Sequence, residues 1–129
     1  MRRKLALIAL VVNDYDEAIR FYCEKLGFRL VEDTVQTLEK RWVVVSPGDD
    51  SCNILLAKAA SVEQKRCIGN QTGGRVFLFL NTDNFERDYQ KLMSVGVEFV
   101  RPPKKETYGI VAVFKDLYGN LWDLIEPSN

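Results

Sequence analysis

An aspartate set in a hydrophobic strand is the group in this chain most suited to chemistry. In the segment Leu121–Ile125, the residues Leu121, Asp123 and Ile125 alternate with Trp122 and Leu124, so an extended chain sends the two sets to opposite faces. If the Asp123 face borders hydrocarbon, its charge is desolvated and its pKa rises. Asp123 can then act as a general acid or base, or as the partner of a cationic ligand. The plainer alternative is a carboxylate paired with an arginine or exposed at the strand end. Arg41 can grip a ligand carboxylate with both arms of its guanidinium, or sit at a strand edge beside a surface acid. Trp42 and Tyr108 can stack on a flat ligand, or serve as a core tryptophan and a loop tyrosine. Cys67 lacks the support a nucleophile needs: the chain has no histidine, and Lys65 and Arg66 alone activate a thiol weakly. Gly73–Gly74 is followed by neither the Lys-Ser/Thr pair nor the spacing of a phosphate loop.

The composition narrows the partners. The chain has 129 residues, 47% of them hydrophobic, and its 18 Lys+Arg balance its 18 Asp+Glu. This is enough apolar material for one compact domain built of two small modules. Zero net charge argues against nucleic acid or an anionic membrane as the main partner, since both select a basic excess. Leu5–Val12 is too short for a signal peptide and ends at Asn13–Asp14, and no apolar stretch reaches membrane-span length. Cys23, Cys52 and Cys67 are an odd number without CxxC spacing, which fits reduced thiols and a cytoplasmic setting.

The elements that must position these residues come twice. Leu5–Val31 and Arg75–Val100 each run from an apolar segment through an acidic turn into an amphipathic helix, a glycine and a second apolar segment. Such a repeat signals two copies of one supersecondary unit, and a cleft between two copies is a place for a small ligand. In the first copy Leu5–Val12 reads as a strand buried on both faces. Asp14 and Glu17 form a capping box, Tyr15, Ala18, Ile19, Tyr22 and Leu26 make one helical stripe, and Gly27 ends it. Strands follow at Phe28–Glu32, Arg41–Ser46 and Asn53–Lys58. In the second copy Val76–Leu80 is a strand, Asp83 and Glu86 repeat the capping spacing, and Gly96 repeats the stop. The distance from aspartate to glycine is the same in both (14 to 27, 83 to 96). Strands at Val97–Val100, Ile110–Phe114 and Leu121–Ile125 complete the unit. The expected order is β-α-β-β-β twice, with residues 1–60 as the first module, 61–74 as a linker and 75–129 as the second module.

Two segments, VVNDYDEAIRFYCEKLGF and FKDLYGNLWDLIEP, resemble the signatures of the glyoxalase/bleomycin-resistance/extradiol-dioxygenase superfamily, also called vicinal oxygen chelate proteins. The resemblance covers essentially the whole chain. It implies an α+β fold of two βαβββ modules, each giving a curved mixed sheet around a cleft, and a homodimer. In metal-using relatives one ligand lies on the first and one on the fourth strand of each module. Carried over position by position, those places hold Leu7, Leu55, Phe77 and Asp123 here. Three of the four are hydrocarbon, and a divalent metal needs several N, O or S donors. No metal and no other cofactor are therefore expected. Leu7, Leu55, Phe77 and Phe79 become candidates for the apolar wall of a pocket, with a side-chain-filled core as the alternative.

These readings combine into a metal-free small-molecule-binding protein whose ligand is apolar or aromatic, of the sequestration or resistance type. The expected ligand-binding residues are Leu7, Leu55, Phe77, Phe79, Asp123, Trp42, Arg41 and Tyr108. The rival is a lyase, isomerase or dioxygenase-like enzyme that uses Asp123 or a non-standard metal site. A dimerising module without a ligand is a third possibility.

Overall fold

Backbone pairing decides where each apolar run becomes a strand. The computed structural model describes residues 1–129. The chain divides into two units, Met1–Ile68 and Gly69–Asn129. In the first, strand β1 (Leu7–Val12) leads into helix α1 (Tyr15–Ile19), which continues as a π-helical stretch (Arg20–Lys25). Strands β2 (Arg29–Val35), β3 (Arg41–Ser46) and β4 (Asn53–Lys58) and a short helix α2 (Val62–Cys67) follow. The sheet order is β1-β4-β3-β2, with β1 and β4 parallel and the other pairs antiparallel. The second unit repeats this with β5 (Val76–Asn81), α3 (Phe85–Ser94), β6 (Phe99–Glu106), β7 (Gly109–Lys115) and β8 (Leu121–Pro127), ordered β5-β8-β7-β6. The expected βαβββ architecture is present in each unit.

Each sheet has one face packed under its helix. In the first unit Leu10, Leu56 and Val43 lie side by side across three strands and are fully buried, while α1 packs on β3 and β4 and contributes buried Ala18. In the second unit a chain of rings runs from the helix into the sheet. Phe85 stacks on Tyr89, Tyr89 meets Phe99 edge-on at 4.6 Å, Phe99 meets Phe114 at 5.7 Å, and Phe114 stacks on Trp122 at 5.8 Å. Offset and edge-on pairs of this kind add about 0.5–1.5 kcal/mol each beyond their area.

Several elements differ from their sequence-based bounds, each for a local reason. β1 starts at Leu7 because its partner β4 starts at Asn53, directly across from it; Leu5 stays exposed, and Ala9 shows that β1 is covered on one face only. The first helix loosens after Ile19, where the Leu26 N–H donates to the Phe21 carbonyl five residues back. The α3 cap is Asn84 rather than Asp83. The Asn84 side chain accepts from the Arg87 N–H at 3.1 Å, and Glu126 on β8 accepts from the Phe85 N–H at 2.8 Å. Asp83 instead pairs with Arg87 at the surface. β6 does not end before Pro102–Pro103 but runs through both prolines. It is an edge strand paired only with β7, and the register jumps from Arg101–Val113 to Lys104–Val111, so the missing N–H groups fall where no ladder bond is required.

The turn between β7 and β8 is organised by a buried carboxylate. Asp116 is 5% exposed. Its Oδ1 accepts from the N–H groups of Tyr118 (3.0 Å), Gly119 (3.1 Å) and Asn120 (2.9 Å). Its Oδ2 accepts from Asn120 Nδ2 (2.9 Å) and Trp122 Nε1 (3.3 Å). Gly69 packs against this turn so closely that a Cβ would lie 1.9 Å from the Tyr118 carbonyl oxygen, and its φ of +76° is one that glycine alone adopts freely. Replacing Asp116 with alanine strands buried donors, and each such donor costs about 1–3 kcal/mol. We expect Asp116→Ala to lose about 3 kcal/mol or more and Asp116→Asn, which keeps one acceptor oxygen, roughly half of that. Urea denaturation of the three proteins checks this; an alanine variant within 1 kcal/mol of the parent would refute the role.

Candidate functional site

The faces turned away from the helices carry Leu55 and Asp123. Residues directly opposite one another on paired strands share a face. In the first unit one such row is Ala9, Leu55, Val44 and Glu32. The equivalent row in the second unit is Phe79, Asp123, Val113 and Arg101. Asp123 therefore occupies, in its unit, the place that Leu55 occupies in the other.

Each unit has a hollow beside its row. The hollow of the first unit is about 650 Å³ and is bordered by Tyr15, Arg41, Trp42, Leu55, Ala57 and Lys58. Trp42 is half-buried there. Arg41 borders the hollow but its guanidinium is engaged: Nε and Nη2 donate to the two oxygens of Asp33 at 3.1 and 2.7 Å, and Nη1 lies 3.0 Å from Asp16. It also lies over the Tyr15 ring at 5.1 Å, and its backbone N–H donates to the Tyr15 hydroxyl at 3.2 Å. The bond from Arg41 holds the Asp33 carboxyl below the usual carboxylate range. Of the two readings of Arg41, the geometry matches the arginine paired with surface acids.

The hollow of the second unit is about 450 Å³ and lies over β6, β7 and β8, with Arg101, Pro102, Pro103, Tyr108, Val113 and Asp123 on its walls. Asp123 is half-buried. Its carboxylate accepts no hydrogen bond and joins no ion pair. Burial pushes its pKa up, and the charge of Arg101 opposes that rise without cancelling it. Tyr108 stands 56% exposed at the rim, and Lys104 is paired with Glu106 at 3.1 Å.

The structure thus gathers Arg41, Trp42 and Leu55 in one hollow and Asp123 and Tyr108 in another. Leu7, Phe77 and Phe79 border neither. Leu7 and Phe77 are half-buried, and Phe79 is 64% exposed beside Asp123 on the neighbouring strand. Cys67 is exposed at the end of α2 and also lies outside both hollows. The sequence reading missed Arg101 and the two prolines as lining residues because it ended β6 at Val100; the bulges that carry the strand onward leave no mark in the hydrophobic pattern. As for a metal, the chain nowhere brings together three Cys, Asp or Glu side chains, and three of the four family ligand positions offer hydrocarbon. This donor set does not fit a divalent cation.

The raised pKa of Asp123 has a signed consequence. A carboxyl whose folded-state pKa is raised contributes its full stability below the unfolded value, about 3.9, and loses that contribution as pH climbs through the folded value. Asp123→Asn does not titrate. The variant's melting temperature should therefore gain on the parent's between about pH 4 and pH 7. A variant-minus-parent difference that stays constant across that range, or falls, would contradict desolvation of Asp123.

The comparisons with known proteins agree with this geometry. The family described as Glyoxalase/Bleomycin resistance protein/Dioxygenase superfamily matches residues 4–124. An uncharacterized protein of Shewanella frigidimarina (strain NCIMB 400) is 61% identical over 131 residues, covering 100% of this chain and 97% of that one. The crystal structure of UcmS2 superposes with a TM-score of 0.83 at 32% identity, covering 98% of this chain and 99% of that one. TnmS3, an antibiotic binding protein from Streptomyces sp. CB03234, gives 0.80 at 28% identity, covering 98% of both chains. With paired βαβββ units, matching sheet orders and a family match along nearly its whole length, this chain belongs to the glyoxalase/bleomycin resistance protein/dioxygenase superfamily.

Proposed function

We propose that this protein binds an apolar or aromatic small molecule without a metal and holds it without transforming it, as a sequestering protein does. The observation that carries this reading is the hollow beside Trp42 and Leu55: about 650 Å³, within the size range of small-molecule sites, with a half-buried indole on its wall. Two further facts support it. The family's ligand positions are mostly hydrocarbon here, and the similar TnmS3 is described as antibiotic binding. Leu7, Phe77 and Phe79 would extend the apolar surface met by the ligand. A rival reading, an enzyme of lyase, isomerase or dioxygenase type, draws on one observation, the unpaired Asp123 with its raised pKa; it predicts turnover that Asp123→Asn abolishes.

The probe for the first reading is N-phenyl-1-naphthylamine, whose emission rises in apolar surroundings. We expect saturable binding that survives dialysis against EDTA. Trp42→Leu should weaken it about fivefold to tenfold, the scale of one aromatic contact. Absence of saturable binding, or binding that returns only with added metal, would overturn the proposal.

The proposal includes a homodimer in the cytoplasm. Strand β2 is exposed along its whole length, and Leu30, Val31 and Val35 on it are uncovered, Val35 at 72%. Exposed apolar edge strands are rarely left unprotected. No helix is long and apolar enough to cross a membrane, and all three cysteines are free thiols. Light scattering should return twice the chain mass of 14.8 kDa at micromolar concentration; a single-chain mass would remove the dimer from the proposal.

A further inference from the structure

One feature of the second unit's hollow bears on ligand class: on its wall Asp123 is a half-buried carboxylate that accepts no hydrogen bond and forms no ion pair. Asp123 is flanked in its row by Val113 on β7 and by Phe79 on β5. Hydrocarbon on both sides and burial withdraw it from water, and no donor of the protein reaches it. A carboxylate in such a place is costly unless a donor or cation arrives. Pro102, Pro103 and Tyr108 supply flat, weakly polar walls within the same hollow.

We propose that this hollow is a subsite for the protonated amine of an aromatic ligand, with the ammonium donating to the Asp123 carboxylate and the ring against Tyr108, Pro102 and Pro103. The inference rests on the small-molecule-binding reading above and names the class of ligand within it. The charged groups bordering the hollow are Arg101, Lys104 and Glu106, all on β6, together with Asp123 itself. Lys104 and Glu106 compensate each other. Arg101 would attract the opposite class, a carboxylate, but it stands exposed on the edge strand. Water screens an exposed charge far more than a desolvated one, so Asp123 governs the selection.

The test uses three probes of similar shape: tryptamine (cation), indole-3-propionate (anion) and 3-methylindole (neutral), titrated calorimetrically at neutral pH into the parent protein, Asp123→Asn and Arg101→Gln. Tryptamine should bind the parent about tenfold tighter than indole-3-propionate, the scale of one charge-assisted hydrogen bond. Asp123→Asn, confirmed folded by its melting curve, should abolish that preference while leaving 3-methylindole binding intact. Arg101→Gln should keep or widen the preference. Equal binding of the two charged probes by the parent, or a preference that survives Asp123→Asn, overturns this inference but leaves the binding reading standing. A preference lost in Arg101→Gln overturns it as well. Failure of all three probes to bind any of the proteins overturns both.

Discussion

The carboxylate of Asp116 accepts from donors on four residues between Tyr118 and Trp122. Three backbone N–H groups close the turn, and the two side-chain donors reach forward to the start of β8. The bond from Trp122 Nε1 matters most for the site. It pins the indole to the helix side, where it stacks on Phe114 and is buried. Strand residues alternate between faces, so fixing Trp122 inward sends Asp123 to the opposite face. The unpaired carboxylate in the hollow is therefore a consequence of the paired one under the sheet. The same turn receives Gly69 and accepts the Gln71 N–H on Asn120, which anchors the chain entering the second unit.

In the first unit a different polar cluster plays the anchoring part. Arg41 ties Asp33 on β2 to Asp16 on α1 and lies on Tyr15. These bonds hold the loop end of the β2–β3 hairpin, beside Trp42. Exposed ion pairs of this kind add little stability singly. Their effect here is geometric: the arginine is occupied by two acids, in a hollow whose walls also carry Trp42, Leu55 and Ala57 together with Glu39, Lys40 and Lys58.

The two units show how one supersecondary plan hosts two chemistries. Leu55 and Asp123 hold the same place in their sheets, as do Ala9 and Phe79, and Glu32 and Arg101. The buried faces, by contrast, keep equivalent jobs, Leu10, Leu56 and Val43 in one and Leu80, Leu124 and Ala112 in the other. Core positions are constrained by packing density, where a polar group would be left without partners. In the outward rows Val44 and Val113 are buried as well, but the other positions are more open, and there charge, aromatic ring and aliphatic chain differ between the units.

This division explains what could be read from the residues alone. The doubled β-α-β-β-β order, the cap at Asp14 and the stops at Gly27 and Gly96 are local properties, set by periodicity, side-chain capping and the need for positive φ (75° and 85°), and they were legible. So was the unfitness of Leu7, Leu55 and Phe77 as ligands, which is chemistry of residue type. Tertiary structure decided the rest. Asn84 rather than Asp83 caps α3 because Glu126, distant in sequence, settles over the neighbouring N–H. β6 continues through Pro102–Pro103 because an edge strand needs bonds on one side only. Five of the eight candidate residues divide between two hollows, and Leu7, Phe77 and Phe79 border neither, because strand pairing, which no single segment encodes, determines which side chains become neighbours.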